Sequence, residues 1–417
     1  MVIGHWSLVI RLSIWLNGNF LNLDEAFFVD QKFCFHYTTI KVKNILKLFT
    51  ASLLLKIAYL FFAFIILGNA EILSLDGYIG ITKRNDTGWY EKIATNWYPR
   101  VTDKIELGYS NKADYKQSEW AFFPFYPGLN RMCIKWFNVD FNLSGFIWSM
   151  LFSVLALSGF YIFCNLFINE SKKAFYYSLV FLLLPFHYYF SMMYSEGIFF
   201  TFLIFSFISI HTRKYLYIPI LVIPLVLARP NGIVAMIPLY LYFLEKNNIV
   251  SKKYFDFTLL FSRKNILQSL LFLTGPLAFI AWLMYQKQMT GYCFAFSIAQ
   301  AGWYREFMLP FLSFFRRGDF ATQFNSWYTL LIIFLSIFMW KKLPLSLNLL
   351  IWTSLLLPLC SGSMTSMPRF TSIIFPITII YGDWFYSTKY KYAILLVLFS
   401  LQLFTFYYWL IGDPFGC

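Results

Sequence analysis

The chain is poor in charge: only 13% of its 417 residues are Asp, Glu, Lys or Arg, against roughly 25% in a soluble globular domain. With 59% hydrophobic and 23% aromatic residues, a water-soluble fold is excluded. Metal-ligand spacing is also missing. Cys34, Cys133, Cys164, Cys293, Cys360 and Cys417 form no Cys-x-x-Cys pair and no Cys/His cluster, so neither a metal site nor a disulfide framework is expected. Four of them lie in or beside apolar runs, where a thiol packs as a small hydrophobe. No secretory leader is legible: Trp6 to Leu16 is interrupted by Arg11 and followed by Asn and acidic residues, without a small-residue cleavage site. The net charge of +14 does not indicate a nucleic-acid partner, because the cations form short clusters between apolar runs rather than one basic patch.

What fills the chain instead is a series of apolar runs. A bilayer core of roughly 30 Å needs about 20 apolar residues per helix. Candidate spans are 47–68, 143–167, 174–191, 194–211, 215–229, 231–244, 265–285, 327–340, 345–360, 369–386 and 393–412, several of them short. The expectation is an all-α polytopic membrane protein of about eleven spans. Residues 1–45 read as a cytoplasmic or interfacial leader, 46–412 as the transmembrane domain and 413–417 as a short tail.

Cytoplasmic loops carry the excess of Lys and Arg. Alternating sides along the eleven spans gives one set of loops with 18 Lys/Arg against 7 acids and another with 15 against 13. The first set is assigned to the cytoplasm. The other face then holds the long first loop 69–142, the turn Tyr194-Ser195-Glu196-Gly197, the turn Arg229-Pro230-Asn231-Gly232, the loop 286–326 and Met367-Pro368-Arg369. The polar chemistry converges on one side. The first loop has nine basic and nine acidic residues and reads as short interfacial helices around an external cleft. Lys56, inside the first span, is expected to snorkel toward the cytoplasm.

Asp86 follows the first span within Asn85-Asp86-Thr87-Gly88, which is good turn chemistry by itself. It also opens a stretch in which Trp89, Ile93 and Trp97 recur at helical spacing, so it is expected near a helix N-terminus beside an aromatic face. Arg229 and Arg369 suit phosphate, which a guanidinium grips through two N–H groups, although a single Arg at a helix end commonly just snorkels. Glu196 begins a span on the same face; it either caps a helix, binds a substrate hydroxyl or orients an Arg. Asp76, Glu91, Gln117 and Glu119 also lie in the first loop and could bind substrate hydroxyls; most such residues are merely solvated, and only Glu119, beside the Trp120 motif, ranks above that background. His187, alone in an aromatic run, reads as structural.

Five segments occur in order: Asp-Thr-Gly-Trp-Tyr-x-x-Ile-Ala at 86–94, Trp-Ala-Phe-Phe-Pro-Phe-Tyr-Pro at 120–127, Tyr-Ser-Glu-Gly at 194–197, Ala-Arg-Pro-Asn-Gly at 228–232 and Pro-Arg-Phe at 368–370. Together they resemble the PIG-V family, the GPI second-mannose transferases and their bacterial relatives, over about residues 47–412. Asn85 stands where that family commonly has an aromatic residue, and the Ser-Glu-Trp-Ala-Phe-Phe-Pro-Phe-Tyr-Pro form resembles the bacterial branch more. A weaker resemblance covers Ala299-Gln300-Ala301-Gly302-Trp303-Tyr304, which Arg316-Arg317 follow.

The resemblance implies a GT-C glycosyltransferase, inverting, using a polyprenyl-phosphate mannose donor without a nucleotide sugar, metal or other cofactor. Asp86 would be the general base, and Arg229 and Arg369 would bind the donor phosphate. Trp89, Tyr90, Glu119, Trp120, Tyr194, Glu196, Asn231 and Gln300 would bind substrate. The implied partners are polyprenyl-phosphate mannose, a glycolipid or glycan acceptor, membrane lipids and a small membrane subunit. The bacterial inner membrane is favoured over the endoplasmic reticulum, with the active face periplasmic or lumenal. Two other classes compete: a transporter or flippase with its site at broken helices, and a non-catalytic subunit of a glycosylation complex. No second copy of the 86–94 or 120–127 segment accompanies the chain, and the large asymmetric first loop favours an enzyme.

Overall fold

The computed structural model describes residues 42–108, 116–251, 254–315 and 318–416. The expected leader therefore lies almost wholly outside the described residues, as do Arg316 and Arg317. The described residues are 77% helical, and among them the only β pairing is one isolated bridge between Val250 and Phe255.

In chain order, α1 is Val42–Leu67, α2 Asp86–Asn96, α3 Phe125–Phe137, α4 Phe141–Ile168, α5 Ser171–Leu183, α6 Glu196–His211, α7 Ile218–Ala228 and α8 Asn231–Lys246. The second half comprises α9 Arg263–Phe272, α10 Thr274–Thr290, α11 Phe320–Phe338, α12 Leu345–Leu359, α13 Met367–Thr371, α14 Phe375–Ser387 and α15 Lys391–Ile411. Helix α1 contains neither Pro nor Gly over 26 residues and ends against Gly68 at φ 64°, the left-handed stop that only glycine adopts without cost. At 1.5 Å per residue it is about 39 Å long, enough to cross a bilayer.

Among the described residues, five helices are long and apolar enough to cross a membrane: α1, α4, the continuous α9–α10 rod Arg263–Thr290, α11 and α15. Shorter apolar helices, Glu196–His211, Tyr215–Ala228 and Leu345–Leu359, accompany them. Several expected spans are cut short because the residue before a proline is pushed out of the α region. Leu184, before Pro185, sits at φ −59°, ψ 142° and ends α5 within the expected span 174–191. Arg229, before Pro230, is fully extended at φ −157°, ψ 156° and separates α7 from α8. The expected span 369–386 is divided into α13 and α14: Ile374, at ψ 70°, caps α14, and Pro376 occupies its first turn, where no N–H donor is needed. Hydropathy reports composition, and these breaks are backbone sterics.

The main core packs α6 against α4, α7 and α8, with α14 against α5 and α12 against α8. A second, smaller core is built from the long first loop and α10. Trp120, Tyr98 and Trp282 stack there, with Tyr98 4.8 Å and Trp282 6.0 Å from Trp120. Such ring pairs contribute about 0.5–1.5 kcal/mol each beyond their buried area. The first loop carries short helices, as its sequence suggests, and this aromatic core fixes them to the helical body.

Lys56 does not snorkel. It is buried, and its Nζ donates to Ser52 Oγ at 2.9 Å and Ser153 Oγ at 2.8 Å. The nearby hydroxyls of α1 and α4 satisfy the ammonium locally, so it has no need to reach the interface.

Helices α5 and α14 approach so closely at Gly382 that a Cβ there would lie 2.5 Å from Cγ of Tyr177, whose hydroxyl donates to Asp383 Oδ1 at 2.9 Å. Overpacking of this kind costs about 1–3 kcal/mol. Gly382→Ala is therefore expected to lower the melting temperature of the detergent-purified protein. Gly80→Ala, which would point into open space, should leave it unchanged or slightly higher.

Candidate functional site

The broken helices end around one cavity of about 740 Å³. Its lining includes the aromatic residues Trp89, Tyr90, Phe122 and Trp303 and the cations Arg229, Arg305 and Arg369. Asp86, Gln117, Asn231, Gln300 and Glu306 also border it.

Asp86 is the first residue of α2, where a carboxylate favours the helix dipole. Its predecessor Asn85 adopts φ 42°, ψ −103°, a conformation that costs a non-glycine residue on the order of 1–3 kcal/mol and persists only where surrounding structure holds it. That kink turns the chain so that the helix starts at the cavity wall. The Asp86 side chain is 19% exposed, and its Oδ2 accepts from Arg369 Nη1 at 2.6 Å. Its Oδ1 has no hydrogen-bond partner among the described residues.

Behind this pair lies Glu196, at the first position of α6 and with no exposed surface. Its Oε1 meets both Arg369 Nε and Arg229 Nη1. One buried carboxylate thus holds two guanidiniums, and Arg369 bridges it to Asp86. The aromatic framing is close. Arg369 lies 4.1 Å from the ring centre of Tyr194, and Phe370 is approached by Arg305 at 5.1 Å and Arg229 at 5.5 Å. Cation–π contacts of this kind add about 0.5–2 kcal/mol as desolvation increases.

The turn that presents Arg229 is possible because residue 232 is glycine. Its N–H donates to Arg229 O at 2.9 Å, and any Cβ would overlap the Leu225 carbonyl and come within 2.6 Å of Val226 Cα. Both obstacles are backbone and cannot move aside. Tyr90 closes the floor through a 3.1 Å hydrogen bond with Ser195 Oγ. Burial pushes its phenol up, with Asp86 and Glu196 adding to the effect, so it is held as a neutral hydroxyl.

The expected residues divide into three groups. Asp86, Trp89, Tyr90, Arg229, Asn231, Gln300 and Arg369 border the cavity together, although they come from segments up to 283 residues apart. Asn231 Nδ2 is buried without a partner among the described residues. Glu196 and Tyr194 lie behind the wall: the first neutralises the arginines, and the second stacks under Arg369 while its hydroxyl donates to Arg84 O at 3.1 Å. Neither borders the cavity. Trp120 and Glu119 do not border it either. Trp120 is wholly buried in the second aromatic core, and Glu119 is held by Lys92 at 2.5 Å. In both cases neighbours in three dimensions claim a side chain that the linear motif left unclaimed.

Gln117, which the linear pattern does not raise above the solvated residues of its loop, borders the cavity, and so does Arg305, which no motif singles out. Arg305 directly follows the Trp303-Tyr304 end of the weaker motif, which was the available signal. Arg305 as a residue is partly exposed. Burial pushes its pKa down to about 10; Asp86 opposes the shift, and Arg369 and Arg229 reinforce it.

A helical protein with helices long and apolar enough to cross a membrane, and with a polar, arginine-lined cavity, is what fold and site together define. Comparison with protein-family models finds no match, and no curated protein matches the chain.

Removing one member of a buried ion pair costs about 3–5 kcal/mol, because the partner charge stays uncompensated. Glu196→Ala is expected to destabilise the protein by that order in thermal unfolding. Adding Arg229→Met to the same variant should recover part of the loss, since one of the two stranded cations is then gone.

Proposed function

We propose that the protein is an integral membrane mannosyltransferase that moves mannose from a polyprenyl-phosphate mannose donor to a hydroxyl of a glycolipid or glycan acceptor. In this reading the acceptor oxygen attacks the anomeric carbon and the bond from that carbon to the phosphate oxygen breaks. The electron pair leaves on the phosphate, and Asp86 takes the hydroxyl proton. Attack opposite the leaving group inverts the anomeric centre.

The observation that carries the reading is Asp86 itself. It combines an unpartnered Oδ1 at the cavity surface with an Oδ2 fixed by Arg369, so the carboxylate is oriented while one oxygen can reach a hydroxyl at the 2.6–3.2 Å that proton transfer needs. The arginine wall supports it further, since the leaving phosphate gains negative charge as the bond breaks. Trp89, Phe122 and Trp303 offer ring faces and edges of the kind that pack against a sugar's C–H surfaces. The proposed setting is the periplasmic or lumenal side of the membrane, with a GT-C arrangement of helices.

The helix breaks at Arg229-Pro230 and at 372–374 also favour a second reading, a transporter whose site lies at discontinuous helices. The two differ in covalent outcome. Purified protein given polyprenyl-phosphate mannose and a panel of lipid acceptors should form a mannosylated product. Asp86→Asn should lower that rate by about 10²–10⁴-fold with an unchanged melting temperature. Transfer that is indifferent to Asp86→Asn would remove the base assignment, and lipid movement across proteoliposomes without product would select the transporter.

A further inference from the structure

The three arginines of the cavity are not equivalent. Arg229 is committed to Glu196, and Arg369 to Glu196 and Asp86. Arg305 has no ion pair with any carboxylate among the described residues. Its Nη1 donates weakly to Gln300 Oε1 at 3.3 Å, and the face of Phe370 supports the guanidinium from 5.1 Å. Gln300 is itself anchored, its Nε2 donating to Ala121 O at 3.3 Å. Glu306 also borders the cavity, but its side chain is exposed and makes no ion pair with Arg305. An arginine offers five N–H donors, so most of this fork remains for a ligand. The cavity holds a positioned cation that no carboxylate of the described residues neutralises.

The chain beyond Arg305 has a complementary character. Phe307 borders the cavity and is 88% exposed, and Leu309, Phe311, Leu312 and Phe315 continue as exposed apolar side chains, Phe315 at 83%. An apolar row that begins two residues from an unpaired cation matches one chemistry: a single anionic head on a long hydrocarbon chain.

We propose that Arg305 and the row Phe307–Phe315 form the binding site of a long-chain lipid phosphate, the phosphate on the Arg305 guanidinium and the chain along the exposed row. The assignment deepens the transferase reading, on which it rests for identifying this lipid as the donor. It makes Arg305 the phosphate contact, and Arg229 and Arg369 the residues that position Asp86 and Glu196.

The test is equilibrium binding to the full-length protein in detergent, with polyprenyl phosphate, the matching polyprenol and inorganic phosphate as probes. Wild type should bind the lipid phosphate most tightly. Arg305→Gln should weaken it about ten- to hundredfold, the loss expected for hydrogen bonds to a charged group. Arg305→Lys, which keeps the charge without the fork, should fall between. A Phe307→Ser/Phe315→Ser variant should weaken the lipid phosphate and leave inorganic phosphate unaffected. Melting temperatures accompany each variant; if Arg305→Gln fails to fold, the Arg305→Lys affinity decides. Wild-type affinity in the folded Arg305 variant would overturn the proposal, and so would inorganic phosphate binding as tightly as the lipid. The two readings fail separately. Mannose transfer with an unchanged donor KM in Arg305→Gln removes this proposal and leaves the transferase. Arg305-dependent lipid phosphate binding without any transfer does the reverse.

Discussion

The site depends on one buried carboxylate. Glu196 sits at the start of α6 with no exposed surface, and its Oε1 is shared by guanidiniums from two distant turns. Transferring such a charge from water costs several kcal/mol, and the cost is offset only where countercharges and hydrogen bonds are close. Here both countercharges belong to short segments at helix breaks, so the carboxylate draws the 229 and 369 turns onto one point. Arg369 then extends the chain of contacts to Asp86 at 2.6 Å. The carboxylate that faces the cavity is positioned by the one that does not.

Proline supplies the segments that Glu196 gathers. A continuous helix satisfies its own backbone and presents side chains only sideways; a helix cut at an X-Pro step releases its end groups and turns the chain. Arg229 is extended because Pro230 follows it, and Gly232 lets the next turn press against the backbone of α7. The loss of a full-length span is the structural cost, and a cavity between helix ends is the result. Non-helical backbone is tolerated at membrane depth where it is buried in protein or lines such a cavity.

Much of this was legible in the linear chain because ionisable residues are scarce in it. Asp86, Glu196, Arg229 and Arg369 stood out against apolar surroundings, and all four meet in space. Aromatic residues gave no such contrast. Trp89 and Trp120 sit in similar-looking motifs, yet one borders the cavity and the other is buried against Trp282, a residue from α10 more than a hundred positions away. Nothing in the local pattern encodes that partner. The helix breaks were less legible for a different reason, since the prolines were visible but an apolar window outweighed them. Arg305 was one of four cations in the loop 286–326, and only its tertiary position beside Phe370 distinguishes it.

The distribution of charge around the cavity bears on what the site can hold. Two arginines with two carboxylates make a locally neutral frame, which gives shape and orientation to Asp86 but little attraction for an incoming anion. Arg305 stands outside that frame, and its depressed pKa, about 10, still leaves it charged at neutral pH. An anion bound there would relieve its desolvation and the repulsion from Arg229 and Arg369 together. A neutral acceptor would gain nothing from the same contact. On the proposed reading this divides the cavity by charge: the anionic lipid belongs at Arg305, and the hydroxyl that loses its proton belongs at the free oxygen of Asp86.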